Sequence, residues 1–267
     1  EFSESTPCAA RHRVGLPTED CRRKTILARM PDHAAHAKRQ VVTEEGLRRE
    51  DFTEERIDEI RRRVSVPANF EILDQETREA SRLSALADVG VGQDIWVFGY
   101  GSLMWNPAFH FADRVPGTIH GWHRSFCLSA PVGRGSVEQP GLMLALDRGG
   151  SCRGFVFQID PQKVQSETRI LWRREMISGG YVPRWVSVRT SEGPMRALTF
   201  TVNRSHPRYV GRLPLEVAVQ ALAMAEGPLG RARDYLHNTV VHLDELGVGD
   251  GPLHHLLDLV ETFRRDV

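Results

Sequence analysis

The stretch Ile95-Trp96-Val97-Phe98-Gly99-Tyr100-Gly101-Ser102-Leu103 decides how this chain folds. Ile95 to Phe98 is short and wholly apolar, the pattern of a buried strand. The strand stops at two alternating glycines, which leaves backbone N–H groups exposed. Such a nest holds an anion or a developing oxyanion. An ordinary glycine turn has the same local pattern, and both readings stand at this point. The loop is not a Walker loop, because no Gly-Lys-Ser/Thr follows, and no GxGxxG opens a helix after it. The order Gly-Tyr-Gly-Ser is also not that of a nucleophile elbow.

Downstream of this loop the sequence is β-rich at 117–128, 142–147, 153–159, 184–189 and 196–202. The runs are separated by Gly133-Arg-Gly135, Pro140-Gly141 and Gly149-Gly150. One helix is expected at about 161–176. Three more are expected in the last third: one with Pro214 near its start and Gly227-Pro-Leu-Gly230 at its end, one marked by Leu236, Val240 and Leu243, and one marked by Leu253, Leu256, Leu257, Val260 and Phe263. The strands lie too close together for βαβ units. The expected class is therefore α+β, with a small curved sheet or barrel and segregated helices.

Upstream, Asp88 to Asp94 reads as a linker and the compact catalytic region as residues 95–267. Residues 41–94 form a helical extension. Its first helix is expected at 43–64, with Thr53 as N-cap, Glu54 and Glu55 in the first turn and Arg61 to Arg63 in the last. Phe52, Ile57, Ile60 and Val64 give that helix a docking face. A second helix is expected at 74–87, with Leu83 and Leu86 inward. Residues 1–40 are poor in apolar side chains and read as disordered. A chain that opens on Glu1 instead of Met is expected to be a fragment or a processed form.

Across the 267 residues, 35 Lys and Arg balance 35 Asp and Glu. That balance argues against a protein held to nucleic acid by bulk phosphate neutralisation. No apolar run approaches the roughly 20 residues of a membrane helix. Cys8, Cys21, Cys127 and Cys152 lack metal-site or disulfide-scaffold spacing, which favours a reducing, cytoplasmic setting.

The second chemical candidate is Glu175. Val164, Thr168, Leu171 and Glu175 fall on one stripe of the expected helix, so a carboxylate shares the face of core-facing aliphatics. Desolvation there raises its pKa and makes it a proton shuttle. A Glu paired with Arg173 or Arg174 is the equal alternative. The His33/His36, His120/His123 and His254/His255 pairs lack the further ligands of a metal site. Cys127 has no evident activator. Arg231 and Arg233 either meet an anionic substrate end or face solvent.

The run Trp96-Val-Phe-Gly-Tyr-Gly-Ser-Leu-Met-Trp-Asn-Pro107 resembles the opening of the ChaC family of glutathione-specific γ-glutamylcyclotransferases. The likeness continues through Gly121-Trp-His-Arg-Ser-Phe-Cys127, Gln139-Pro-Gly-Leu-Met-Leu-Ala-Leu146, Leu171-Trp-Arg-Arg-Glu-Met-Ile177, Gly179-Gly-Tyr-Val-Pro183, His206-Pro-Arg-Tyr209 and Gly227-Pro-Leu-Gly230. It covers about 95–265 and is closer to bacterial members than to animal ones. The resemblance implies a γ-glutamylcyclotransferase fold, a small mixed barrel with helices around it, and conversion of glutathione to 5-oxoproline and cysteinylglycine without metal or cofactor. It maps the substrate loop onto Tyr100, Gly101, Ser102 and Leu103, the catalytic glutamate onto Glu175 and a pocket tyrosine onto Tyr209. The expected partner is glutathione alone, with no nucleic acid and no membrane, in a monomer or weak dimer. Two other functions stay open: a non-catalytic, ligand-binding regulator of cation transport, and a cyclotransferase for other γ-glutamyl peptides.

Overall fold

A computed structural model describes residues 48–63 and 70–266. The expected disorder of 1–40 and the first residues of the expected 43–64 helix lie outside the described residues.

Five strands close into a barrel in the order β1-β3-β2-β4-β5. They are β1 (Ile95–Gly99), β2 (Asp113–Ala130), β3 (Gly141–Ile159), β4 (Tyr181–Thr190) and β5 (Gly193–Val202). β1 runs antiparallel to β3, from Ile95 opposite Ile159 to Gly99 opposite Phe155. β3 pairs along almost all of β2, and β4 pairs along all of β5. The seam is closed by single parallel pairings, Val97 with Leu198 and Leu146 with Thr201. Full closure leaves no long edge to template aggregation.

The apolar run at Ile95 is a buried strand as expected, with Val97 and Phe98 fully buried. The 142–147 and 153–159 runs are one strand, not two. Gly149 and Gly150 take φ of 103° and 67° inside β3 and have no partner in the β2 ladder, which resumes at Ser151 opposite His120, so the strand kinks there and continues. Register shifts at His120/Trp122 and Phe126/Leu128 bend β2 to match, as bulges do.

Six helices surround the barrel among the described residues: α1 (Glu54–Arg63), α2 (Gln75–Ala85), α3 (Val164–Glu175), α4 (Leu215–Met224), α5 (Ala232–Glu245) and α6 (Gly251–Asp266). Gly227-Pro-Leu-Gly230 does not end α4. It turns a two-residue hairpin, β6 (Glu226–Gly227) and β7 (Gly230–Arg231), between α4 and α5. α1 is shorter than the expected helix, since Arg49–Asp51 form a separate 3-10 turn and Phe52 and Thr53 interrupt the two. On α2, Leu86 is buried beyond the helix end, but Leu83 is 54% exposed. The buried face of α2 is built from Arg78 and Arg82 instead. Arg78 pairs with Glu54, and Arg82 with Glu79 and Thr168. A hydrophobicity pattern cannot find a helix face that docks through ion-paired charges.

α3 positions the site. Asp160 opens its lead-in turn by accepting from the Gln162 N–H, with Pro161 in the first turn, where a missing N–H costs least. Val164, Thr168 and Leu171 are buried as the stripe requires. Trp172 meets Phe200 of β5 edge to face at 5.2 Å. The N-terminal elements grip the same helix. Arg49 forks onto Glu167 at 2.5 and 3.0 Å, and Glu54 accepts from Arg173 Nε at 2.9 Å.

Candidate active site

The chain leaves β1 at Gly99 and folds back at once. A Cβ on Gly99 would sit 3.1 Å from the Phe157 ring and 3.2 Å from Leu103 Cβ, so a side chain there would crowd the return. Ser102–Met104 then form one 3-10 turn. The N–H of Met104 bonds to the Gly101 carbonyl, whereas those of Ser102 and Leu103 have no backbone acceptor among the described residues. These are the free donors that the glycine loop suggested. Arg124 fixes the loop from below, its Nε donating to the Tyr100 carbonyl at 2.5 Å while its Nη1 meets Asp250 at 2.9 Å.

Glu175 is the last residue of α3, and its side chain is 15% exposed. Arg174 Nε lies 3.1 Å from its Oε1. The same guanidinium donates to Ser102 Oγ at 2.8 Å and to the Asn106 carbonyl. One arginine therefore ties the candidate carboxylate to the glycine loop. Both sequence readings of Glu175 hold together: it is largely buried and it is paired. Burial raises its pKa above the ordinary carboxylate value, and the Arg174 charge opposes the rise without cancelling it.

Three tyrosines share this region. Tyr100 is buried and donates to the Phe200 carbonyl at 2.9 Å. Tyr181 donates to the Leu144 carbonyl at 2.9 Å. Tyr235 of α5 brings its hydroxyl within 3.7 Å of the position a Cβ on Gly101 would take. Burial holds the Tyr100 and Tyr181 phenols well above their ordinary pKa, and the nearby Glu175 charge adds to the effect. Both stay protonated and act as neutral donors. Arg134 covers the Tyr235 ring at 5.0 Å.

Tyr209 sits differently. Its hydroxyl donates to Asp147 Oδ2 at 2.8 Å, and Arg204 Nε donates to the same carboxylate at 2.6 Å. Its ring and that of Tyr181 pack on one small cluster, Cys127, Leu128, Ala145 and Val202. Tyr209 thus shares its packing with Tyr181 through its ring, while its hydroxyl is engaged by Asp147. Burial pushes the Cys127 thiol up to about 12, which removes it as a nucleophile. Arg231 and Arg233 are taken up by Glu226 and Glu261.

Tyr181, Tyr235 and the bridging role of Arg174 were not singled out in the sequence. Tyr181 follows the Gly179-Gly180 break, which was a signal. Tyr235 lies on a helix far along the chain and gave none. Two surface grooves, one beside Glu50 and Arg56 and one beside Gly117, Arg153 and Arg189, contain none of these residues. Among the described residues no group of three His, Cys, Asp or Glu converges on a metal position.

The arrangement is a buried carboxylate of raised pKa beside a loop with free N–H groups. It suits a reaction in which a proton leaves an amine and charge develops on a carbonyl oxygen. Comparison with known proteins agrees. A protein named glutathione-specific γ-glutamylcyclotransferase from Escherichia coli (strain K12) is 40% identical over 183 residues, 68% of this chain and 79% of that protein. Its mouse counterpart, glutathione-specific γ-glutamylcyclotransferase 1, is 33% identical over 180 residues, 65% of this chain and 81% of its own length. The crystal structure of a yeast γ-glutamylcyclotransferase specific to glutathione superposes with a TM-score of 0.58. It is 22% identical, covers 64% of this chain and 96% of its own, and establishes the γ-glutamylcyclotransferase fold. Residues 95–265 match the family described as ChaC-like protein, and the match takes in the whole barrel, the glycine loop and α3; the chain belongs to that family.

Proposed function

We propose that this chain is a γ-glutamylcyclotransferase that acts on glutathione, with Glu175 as its general acid and base. The observation that carries the reading is the placement of Glu175, a largely buried carboxylate of raised pKa joined through Arg174 to the Tyr100–Leu103 loop. Membership of the ChaC-like family and the name of the E. coli relative support it.

The γ-glutamyl group brings its own nucleophile, the α-amine, and its own electrophile, the γ-amide carbon. Ring closure forms the amine N–C bond and breaks the amide C–N bond. It needs no enzyme nucleophile. The site has to fold the substrate so that the amine faces the carbonyl, and good orientation contributes up to about 7–11 kcal/mol. Glu175 takes a proton from the ammonium, which is the dominant form at neutral pH, and returns one to the departing amine of cysteinylglycine. The Ser102 and Leu103 N–H groups receive the oxyanion or the γ-glutamyl α-carboxylate. Tyr100, Gly101 and the ring of Tyr209 complete the wall.

The test is incubation with glutathione and detection of 5-oxoproline and cysteinylglycine in equal amounts. Binding without either product would instead support the ligand-binding regulator of cation transport. A parallel assay on γ-glutamylalanine measures strictness, and faster turnover of that peptide would redirect the assignment to other γ-glutamyl substrates. Cytoplasmic action as a monomer or weak dimer belongs to the same proposal. No described helix is long and apolar enough to cross a membrane.

A further inference from the structure

Three arginines are buried among the described residues: Arg78, Arg82 and Arg208. Arg78 has its carboxylate in Glu54, and Arg82 has Glu79. Arg208 has none. Its Nε donates to the Ser129 carbonyl at 2.6 Å and its Nη1 to Ser178 Oγ at 2.7 Å, both neutral acceptors. Its guanidinium lies 4.8 Å over the Phe70 ring. Its Nη2 has no acceptor among the described residues and is not sealed from solvent. A buried cation without a counter-ion costs several kcal/mol. Folding keeps such a group oriented when an anion completes it.

We propose that Arg208 binds the glycine carboxylate of the tripeptide substrate, and so selects for the charged end remote from the bond that breaks. The inference rests on the γ-glutamylcyclotransferase reading and adds the far end of the substrate to it. The position of Arg208 determines which carboxylate it takes. The α-carboxylate of the γ-glutamyl group sits on the carbon that bears the attacking amine, so it stays beside Glu175. Arg208 donates to Ser178, three residues beyond Glu175, and Gly180, two residues further on, packs against Leu128 of the cluster that Tyr181 and Tyr209 share. Arg208 therefore lies beside the C-terminal end of α3 without pairing with Glu175, and the proposal places the distal end of the substrate there. Ser178 and Ser129 hold the fork from the side, which leaves its remaining N–H edge for a planar carboxylate.

The experiment compares glutathione with its glycine ethyl ester, which loses the charge but adds an ethyl group, and with the glycinamide, which loses the charge at nearly constant size and should behave like the ester. With the wild-type protein the ester should show a KM about 10–100-fold higher and a kcat within a few-fold, because a charge-assisted bond remote from the chemistry contributes equally to ground and transition states. Arg208→Met should raise the KM for glutathione by the same factor and leave the ester unchanged, so that discrimination disappears. Thermal melting adds a readout that a structural role would move the other way: Arg208→Met should melt at or above the wild-type temperature. Equal wild-type KM values for glutathione and the glycinamide would overturn the proposal, and so would loss of both in the variant. The wild-type comparison decides even if Arg208→Met fails to fold. Calorimetric titration of glutathione and the glycinamide separates the two levels of inference. Charge-selective binding without turnover keeps Arg208 and overturns the catalytic reading, and turnover without charge selection does the reverse.

Discussion

Arg174 Nε stands 3.1 Å from Oε1 of Glu175, the residue that follows it, while the other arm of the same guanidinium reaches Ser102 Oγ at 2.8 Å. Neighbours one residue apart on a helix do not normally face each other. They meet here because α3 ends at Glu175, with Met176 as its C-cap, and the chain then turns out of helical geometry. The pair fixes the carboxylate against the loop, so the two candidates found separately in the sequence form one unit.

Glu175→Gln should keep the fold and lower kcat on glutathione by about 10²–10⁴, the usual contribution of a general acid-base group. Release of 5-oxoproline measures it. A variant within a few-fold of wild type would remove Glu175 from the proton path.

The raised pKa of Glu175 also has a signature in stability. Its contribution is fully present below the ordinary carboxylate pKa of 4.5 and is lost as pH rises through the higher folded-state value. Glu175→Gln should therefore gain in melting temperature over the wild type at neutral pH, and the gain should shrink as pH falls toward 4.5. A constant difference across that range would show that the carboxylate is not titrating in a buried site.

Arg174→Met removes a cation that lowers the Glu175 pKa. The acidic limb of the kcat/KM profile should move to higher pH, since the base must lose its proton to work. An unshifted limb with a lower plateau would make Arg174 a scaffold for the loop and nothing more.

Ser102→Ala should cost about 10-fold or less, the worth of one hydrogen bond of about 1 kcal/mol, because the loop acts through backbone N–H groups. A loss equal to that of Glu175→Gln would place the hydroxyl itself in the chemistry.

Glu54→Gln tests the grip of the N-terminal elements on α3. It strips the carboxylate from Arg78, whose side chain is 3% exposed, and from Arg173. Breaking a buried pair by removing one partner costs about 3–5 kcal/mol, and the partial exposure of Glu54 places this case near the lower bound. Urea denaturation reads it directly. A change within about 0.5 kcal/mol would mean that the segment rests on α3 without stabilising it.

The sequence by itself determined the α+β class, the buried strand at Ile95–Phe98, the break at Gly99–Leu103 and the carboxylate on the core-facing stripe of α3. Each is a local signal: an apolar run, a glycine that admits a sharp return, or a repeat of three to four residues. It also carried the family, because many short motifs in fixed order are specific where a single one is not. Only the tertiary structure decided that Arg174 joins Glu175 to Ser102, that Tyr209 gives its hydroxyl to Asp147 and that β3 runs through Gly149-Gly150. The same holds for Arg78 and Arg82, which occupy a helix face where Leu83 was expected. For the charged and polar groups the outcome depends on a partner across the fold: Ser102 for Arg174, Asp147 for Tyr209, Glu54 for Arg78 and Thr168 for Arg82. Burial of a charge is unfavourable or tolerable according to such partners, and these lie too far along the chain for a local pattern to show them. Arg208 is the clearest case. In sequence it is one arginine among many, and only the packing of Phe70, Ser129 and Ser178 around it leaves its charge unanswered.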